Sequence, residues 1–125
     1  MTTPARKTPP TLVWWVLWFS ITAGLVAIHA TIPVAEAEAT TGPLKHLPMI
    51  PLLASSAIRW VVLPRVTEGW RALPLFIVGL ILAEAGSLIG LFLVPDLRQT
   101  YLVLGVAGLA QYIPFFAARY PSKEA

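Results

Sequence analysis

The chain alternates four long apolar runs with short polar connections. The runs cover residues 12–32, 48–63, 72–94 and 100–118. An α-helix rises about 1.5 Å per residue, so about 20 apolar residues cross a hydrocarbon core of roughly 30 Å. Because a helix satisfies its own backbone hydrogen bonds, it is the form that such a run takes in lipid. The pattern therefore predicts an all-α fold, a transmembrane four-helix bundle that occupies residues 12–118.

Prolines mark the ends of the runs. Pro33, Pro64 and Pro95 each follow an apolar run, and proline ends or kinks a helix because it lacks a backbone donor. The second run is the shortest and has Pro48 and Pro51 in its first turns, where a helix tolerates proline. We expect short connections and a single membrane domain.

Composition supports the membrane class. Of the 125 residues, 57% are hydrophobic and only 12% are charged, whereas soluble domains carry about a quarter charged residues. The net charge of +3 does not indicate a nucleic-acid partner, because the basic residues are scattered at the ends of the apolar runs. The absence of cysteine excludes disulfides and thiolate metal sites. The lipid bilayer is the expected partner.

The basic residues predict the topology. If residues 1–11 and 119–125 are cytoplasmic tails, only Lys45 and Arg98 lie outside. Basic residues concentrate on the cytoplasmic side of membrane proteins, so we expect a multi-pass protein of the inner (plasma) membrane with both termini in the cytoplasm. The residues then on the inner side are Arg6, Lys7, Arg59, Arg65, Arg71, Arg119 and Lys123.

The first run also has features of a secretory signal peptide. Arg6 and Lys7 precede it, and the small-residue segment at 35–37 resembles a cleavage site. The apolar stretch of residues 12–32 is longer than the 7–15 residues or so of a signal peptide's core. Its tryptophans gather at one end, as in an interfacial aromatic belt, so we expect an uncleaved span. They are Trp14, Trp15 and Trp18.

The third run carries one carboxylic acid, Glu84, near its middle. An ionisable side chain at this depth is costly and is by default a hypothesis for a functional site. The sequence leaves three roles open: a structural bond to another span, proton or ion carriage, and contact with a partner subunit. The candidate intramembrane polar site comprises Glu84, Arg59, Gln111 and Ser87.

Arg59 and Gln111 are the candidate intramolecular partners of Glu84. Counting the rise per residue along each span places both within roughly 10 Å of its depth. Arg59 has an alternative role, in which its long side chain extends to the inner interface as an anchor.

Small residues recur on the third run at intervals of four, three and four. They form one narrow stripe, which lets helices approach closely and includes a GxxxG pattern. The stripe predicts either packing within the bundle or an oligomer interface. Its residues are Gly79, Ala83, Gly86 and Gly90.

The sequence offers little for catalysis. His29, His46, Glu36 and Glu38 are grouped towards the outer side, but without the spacing of metal ligands. Nucleophile-elbow, zinc-protease, phosphate-loop and dinucleotide patterns are missing from the sequence. We therefore expect no metal, no cofactor and no enzymatic activity.

A segment of the third run, residues 75–93, reads LFIVGLILAEAGSLIGLFL. It resembles the carboxylate-bearing helix of the proteolipid c subunits of rotary ATPases. The positions that match are Gly79, Ala83, Glu84, Ala85, Gly90 and Leu91. In that family the glutamate carries the translocated proton or sodium ion and faces the outside of a ring, and the resemblance implies this role for Glu84. The four-span layout as a whole resembles small bacterial inner-membrane proteins, which implies no particular activity.

The leading hypothesis from the sequence is a non-enzymatic integral membrane protein, an accessory or assembly subunit of a membrane complex. The alternative is a component of proton or ion transport that uses Glu84 as its proton carrier. A homo-oligomer is compatible with either hypothesis.

Overall fold

The computed structural model describes residues 9–33 and 42–120. It confirms the predicted all-α four-helix fold. Four helices are long and apolar enough to cross a membrane, namely Thr11–Thr31, Pro43–Arg65, Gly69–Leu93 and Pro95–Arg119. The segment at 35–37 and five residues of the sequence analysis lie outside the described residues: Arg6, Lys7, Glu36, Glu38 and Lys123.

Two of the four spans are uninterrupted helices. They are α1 (Thr11–Thr31) and α3 (Gly69–Leu93). Pro74 lies in the second turn of α3, where the missing N–H of proline removes the backbone bond that would go to the Trp70 carbonyl. α3 begins three residues before the predicted run because Glu68 O accepts the first backbone bonds of its N-terminal turn.

The second span consists of several segments. A 3₁₀ turn, Pro43–His46, leads into α2 (Met49–Ala57), so this span begins earlier than residue 48. A π-helical turn, Ile58–Val62, follows directly, and a 3₁₀ turn, Leu63–Arg65, ends the span. The π turn contains Arg59. One-turn π insertions of this kind change the direction in which the following side chains point.

The fourth span is also divided, although its apolar run is continuous. It begins with the 3₁₀ turn Pro95–Leu97, continues as α4 (Arg98–Ala110) and ends with the 3₁₀ segment Pro114–Arg119. Pro114 cannot donate to the carbonyl of Ala110 and disfavours helical backbone in the residue before it. Ile113 accordingly has φ −52° and ψ 125°. The α-helix therefore stops three residues short of Pro114.

α3 is the central helix of the bundle. It packs against α1, α2 and α4. In an apolar stretch of 18 residues, α3 has 44% buried, whereas the corresponding stretch of α1 has 11% buried. α1 therefore lies at the edge of the bundle, with one face on α3 and the fourth span and the remainder exposed. Large apolar side chains cover the outer surface of the whole bundle, as expected for contact with lipid; they include Leu12, Val16, Phe19, Ile50, Leu53, Ile81, Phe92, Val103 and Phe115.

A cluster of buried rings closes one end of the bundle, which we call the aromatic end. Trp14 stacks on Tyr120 with ring centroids 5.8 Å apart and planes at 11°. Phe76 lies 4.9 Å from Trp14 and 6.0 Å from Tyr112, and Phe116 packs edge-on against Trp14. The cluster joins α1, α3 and the fourth span, and its aromatic area supplies much of the packing energy there.

Candidate functional site

Glu84 lies at the boundary between the buried and the exposed face of α3. Leu80 and Ser87, one turn away on either side, are buried, whereas Ile81 is half exposed. Glu84 itself is partly covered. Its carboxyl group has no hydrogen-bond or ion-pair partner within residues 9–33 and 42–120. Desolvation without a partner is costly for an ionised carboxylate.

The stripe of small residues lies inside the bundle, against α2 and α4. A Cβ atom added at Gly86 would lie 2.6 Å from Leu52 Cγ, and one added at Gly79 or Gly90 would overlap Tyr112 or Tyr101. Ala83, the fourth member of the stripe, is fully buried. These close approaches are contacts within one chain.

Arg59 and Gln111 lie together, but neither of them forms a hydrogen bond or an ion pair with Glu84. Arg59 Nε donates a hydrogen bond of 2.6 Å to the backbone carbonyl of Gln111. The Gln111 side chain is held from two sides: its Oε1 accepts from Trp60 Nε1 at 2.6 Å, and its Nε2 donates to Ser56 Oγ at 3.1 Å. The guanidinium carbon of Arg59 lies 4.3 Å from the centroid of the Trp60 ring, a cation–π distance.

The break in the fourth span explains why Arg59 takes this position. In a continuous helix the carbonyl of Gln111 would accept from the N–H of Phe115, but that N–H donates to Ile113 O instead. An unsatisfied carbonyl costs several kcal/mol, about 2–7, in an apolar environment. Arg59 supplies the missing donor. Trp18 Nε1 also donates to a carbonyl of this segment, Leu109 O, at 2.7 Å, and the same oxygen accepts from the Tyr112 N–H.

Ser87, the fourth member of the predicted polar site, pairs with His29 of α1. The Ser87 Oγ and His29 Nε2 atoms are 3.3 Å apart, and His29 Nδ1 lies 3.0 Å from Leu25 O. Because the carbonyl can only accept, Nδ1 carries the proton and Nε2 accepts from the Ser87 hydroxyl. Both side chains are buried, so this is a hydrogen-bonded contact between α1 and α3.

Arg98 holds the C-terminal end of α1. Its Nη2 donates to His29 O at 2.7 Å and to Ile32 O at 3.1 Å, and its Nη1 donates to Pro33 O at 3.0 Å. The last carbonyls of a helix have no partners within the helix, and a cation there also complements the helix dipole. The charge pattern identified Arg98 only as a topology signal, and this helix-capping role was not predicted. The available clue was an arginine two residues after Asp96, at the predicted outer end of the bundle.

The three other members of the predicted polar site therefore lie in two separate sets, Arg59 with Gln111 and Ser87 with His29. Groups of three or more His, Asp or Glu that could hold a metal ion do not occur in the described ranges. Comparisons of the chain with protein-family models, with curated proteins and with solved structures find no match. A functional assignment therefore depends on the geometry alone.

Proposed function

We propose that the chain is a non-enzymatic integral membrane protein, an accessory subunit that binds a partner protein within the bilayer through Glu84. The observation that carries this proposal is the position of the Glu84 carboxyl, which is accessible at the edge of α3 and has no partner among the described residues. Polar groups within a membrane pair with one another because hydrocarbon offers them no partners. A helix of another protein with a basic or hydrogen-bonding side chain would satisfy this carboxyl.

The positions of the other ionisable side chains support an external partner. Arg59, the candidate cation within the spans, has its Nε on Gln111 O and its guanidinium against two aromatic rings. Gln111 and Ser87 are also engaged, with Ser56 and His29. Arg59, Gln111 and Ser87, the predicted neighbours of Glu84, therefore all bond to other groups of the bundle.

The membrane and its orientation are part of the same proposal. The excess of basic residues in the tails and in the connection around Arg65 and Arg71 favours a cytoplasmic location for both termini. The compartment would then be the inner membrane of a bacterial cell.

The alternative function is proton or ion carriage by Glu84. The same observation favours it, because a carboxyl without a fixed ion pair can take up and release a proton when its surroundings change. The resemblance of residues 75–93 to the carboxylate helix of the rotary ATPase proteolipids adds to it.

Two substitutions at one position distinguish these functions. Glu84→Gln keeps a neutral hydrogen-bonding side chain, whereas Glu84→Leu removes it. For an accessory subunit, we expect native gels of mildly solubilised membranes to show the chain in a complex larger than its own 13.6 kDa. The complex should persist with Glu84→Gln and be lost with Glu84→Leu.

The transport alternative predicts a different pattern. Proteoliposomes of the wild type would conduct protons or another ion, and Glu84→Gln would abolish the flux because an amide does not titrate. An unchanged native-gel position for Glu84→Leu, together with no flux in the wild type, would refute both functions. A substitution at Val103, which is 65% exposed on α4, serves as the control for altered lipid contact.

A further inference from the structure

Glu84 and Arg59 each have bonding capacity that the described chain does not use. The Glu84 carboxyl has no hydrogen-bond or ion-pair partner among the described residues. Arg59 bonds to Gln111 O through Nε, and within residues 9–33 and 42–120 its two terminal amino groups have no acceptor. The rings of Trp60 and Phe116 lie 4.3 and 4.5 Å from the guanidinium carbon, but they offer no acceptor oxygen. Each charge therefore lacks a counter-ion in the described part of the spans, and hydrocarbon supplies none.

The two groups lie on different sides of the bundle. On α3, Gly86 packs against α2, and Ser87 bonds to α1. Each residue of a helix is turned by about 100° from the one before it, so the direction to Glu84 lies about 60° beyond Ser87 and about 160° from Gly86. Glu84 therefore lies on the α1 side of α3, away from α2. Arg59, on the second span, faces the fourth span instead, which explains why the two charges do not pair within one chain.

The two groups nevertheless lie at a similar depth. α4 runs antiparallel to α3, and a Cβ atom added at Gly108 would lie 3.3 Å from Ala83 Cβ. Three residues further along the fourth span, Gln111 lies roughly 6 Å nearer the aromatic end than the backbone of Glu84 does. Side chains of a helix lean toward its N-terminus, which for α3 is at the aromatic end, so the Glu84 carboxyl reaches back toward that level. Arg59 is bonded to Gln111, so the guanidinium and the carboxyl lie less than about one helical turn apart in depth.

We propose that Glu84 binds Arg59 of a second copy of this chain. The inference rests on the proposed function, in which Glu84 contacts a partner subunit, and it names that partner. The donors of a planar guanidinium match the two oxygen atoms of a carboxylate, and both terminal amino groups are available because Nε makes the internal bond. Arg59 thus keeps its bond to Gln111 while it neutralises the carboxylate of the neighbouring copy.

Charge complementarity within one sequence favours a second copy over an unrelated partner. Each chain offers an anion and a cation at a similar depth and on different sides, so every contact between copies satisfies two intramembrane charges. Both surroundings are apolar: Ile81 is 52% exposed one turn from Glu84, and Trp60 is 59% exposed beside Arg59. Such surfaces exclude water and strengthen the pair, because attraction between charges grows as the dielectric falls. Different surfaces meet, so the contact is heterologous, and successive copies close into a ring or extend as a row.

The test measures self-association of the purified full chain in phosphatidylcholine vesicles. The chain has no cysteine, so Leu44→Cys, at an exposed position, provides a single site for donor and acceptor dyes, and energy transfer reports association. We expect the wild type to associate and Glu84→Leu to weaken association about tenfold or more, the loss that one charge-assisted hydrogen bond gives. Glu84→Gln keeps an acceptor oxygen and should weaken association less. Glu68→Gln, which removes an exposed carboxylate, is the control and should have no effect.

A mixture of two variants tests the pairing by a gain of association. Arg59→Gln alone should associate as weakly as Glu84→Leu alone. Glu84→Leu still presents Arg59, however, and Arg59→Gln still presents Glu84, so the mixture should show energy transfer between the two variants and should stop at one-to-one pairs. Restored association can come only from folded chains, so it separates the pairing from any destabilisation by Arg59→Gln.

Glu84→Lys leaves Arg59 unchanged and decides the question where Arg59→Gln does not fold. It places two cations opposite each other, so it should abolish association of the purified chain. A partner group other than a cation would accept the lysine.

Full association of Glu84→Leu or of Glu84→Lys would overturn the pairing. A mixture of Glu84→Leu with Arg59→Gln that stays monomeric, although both variants have the helical circular dichroism of the wild type, would also overturn it. The fate of the proposed function is separate. A purified wild type that stays monomeric, while native membranes contain a larger complex that Glu84→Leu abolishes, would overturn the second copy as the partner and leave the accessory function intact. A chain that is monomeric in both settings would refute both.

Discussion

Arg59 and Glu84 are both ionisable side chains within apolar spans, and their surroundings are opposite. Arg59 donates to the carbonyl of Gln111 and lies against the rings of Trp60 and Phe116. Glu84 lies at the edge of α3, and the described residues provide it with no partner. The first charge is part of the structure of the bundle, whereas the second is available to another molecule.

The difference between these two sites follows from their backbones. The π turn at Ile58–Val62 and the break before Pro114 leave irregular backbone on neighbouring spans, and irregular backbone requires side-chain donors in lipid. α3 is regular around Glu84 and leaves no carbonyl or N–H to satisfy there. A charged residue beside a helix break therefore has a structural explanation that Glu84 lacks.

Arg59→Leu should have the largest effect on stability. The change removes a charge-assisted hydrogen bond to Gln111 O, with a typical value of about 1.5–3 kcal/mol, and two cation–π contacts. We expect the free energy of unfolding to fall by about 3 kcal/mol, measured as the loss of helical circular dichroism on heating in detergent. Arg65→Leu, at an exposed position six residues later, is the control. Equal effects of the two changes would refute the capping role of Arg59.

Glu84→Leu should act in the opposite direction on the isolated chain. It replaces a carboxyl that lacks a partner with an apolar side chain, and insertion measurements give a cost of about 3 kcal/mol for a charged side chain at the centre of a span. Because Glu84 is only partly covered, we expect a gain of about 2 kcal/mol or less in the same assay. A marked loss of stability would mean that Glu84 has a partner within the chain, and the contrast with Arg59 would fail.

The fold could be predicted from the sequence because the length and apolarity of a run decide whether it spans a membrane. The internal breaks were harder to place. Pro114 is evident within the fourth run. The end of α4 at Ala110, however, depends on how far the loss of a donor at Pro114 disturbs the preceding helical turn. The second span begins at Pro43 because a 3₁₀ turn extends it into a segment that is polar in sequence.

The hydrogen-bond partners of the polar side chains could not be predicted from the sequence. Depth along a span can be counted, and it predicted that Arg59 and Gln111 lie near the depth of Glu84. Contact also needs the rotation of each helix, which the π turn at Ile58–Val62 alters. The bond between His29 and Ser87 likewise depends on the parallel packing of α1 on α3, which no local pattern encodes.

Trp60→Phe should have the smallest effect and tests how tightly the Arg59 site is organised. The change removes the bond from Trp60 Nε1 to Gln111 Oε1 and keeps an aromatic ring beside Arg59. One neutral hydrogen bond contributes about 1 kcal/mol, so we expect a loss of that size. Trp70→Phe is the matched control, because this indole is also exposed and has no hydrogen-bond partner in the described ranges. An equal loss of unfolding free energy for Trp60→Phe and Arg59→Leu would contradict this ranking. It would mean that the side-chain amide of Gln111, with its partners Trp60 and Ser56, stabilises the helix break more than Arg59 does.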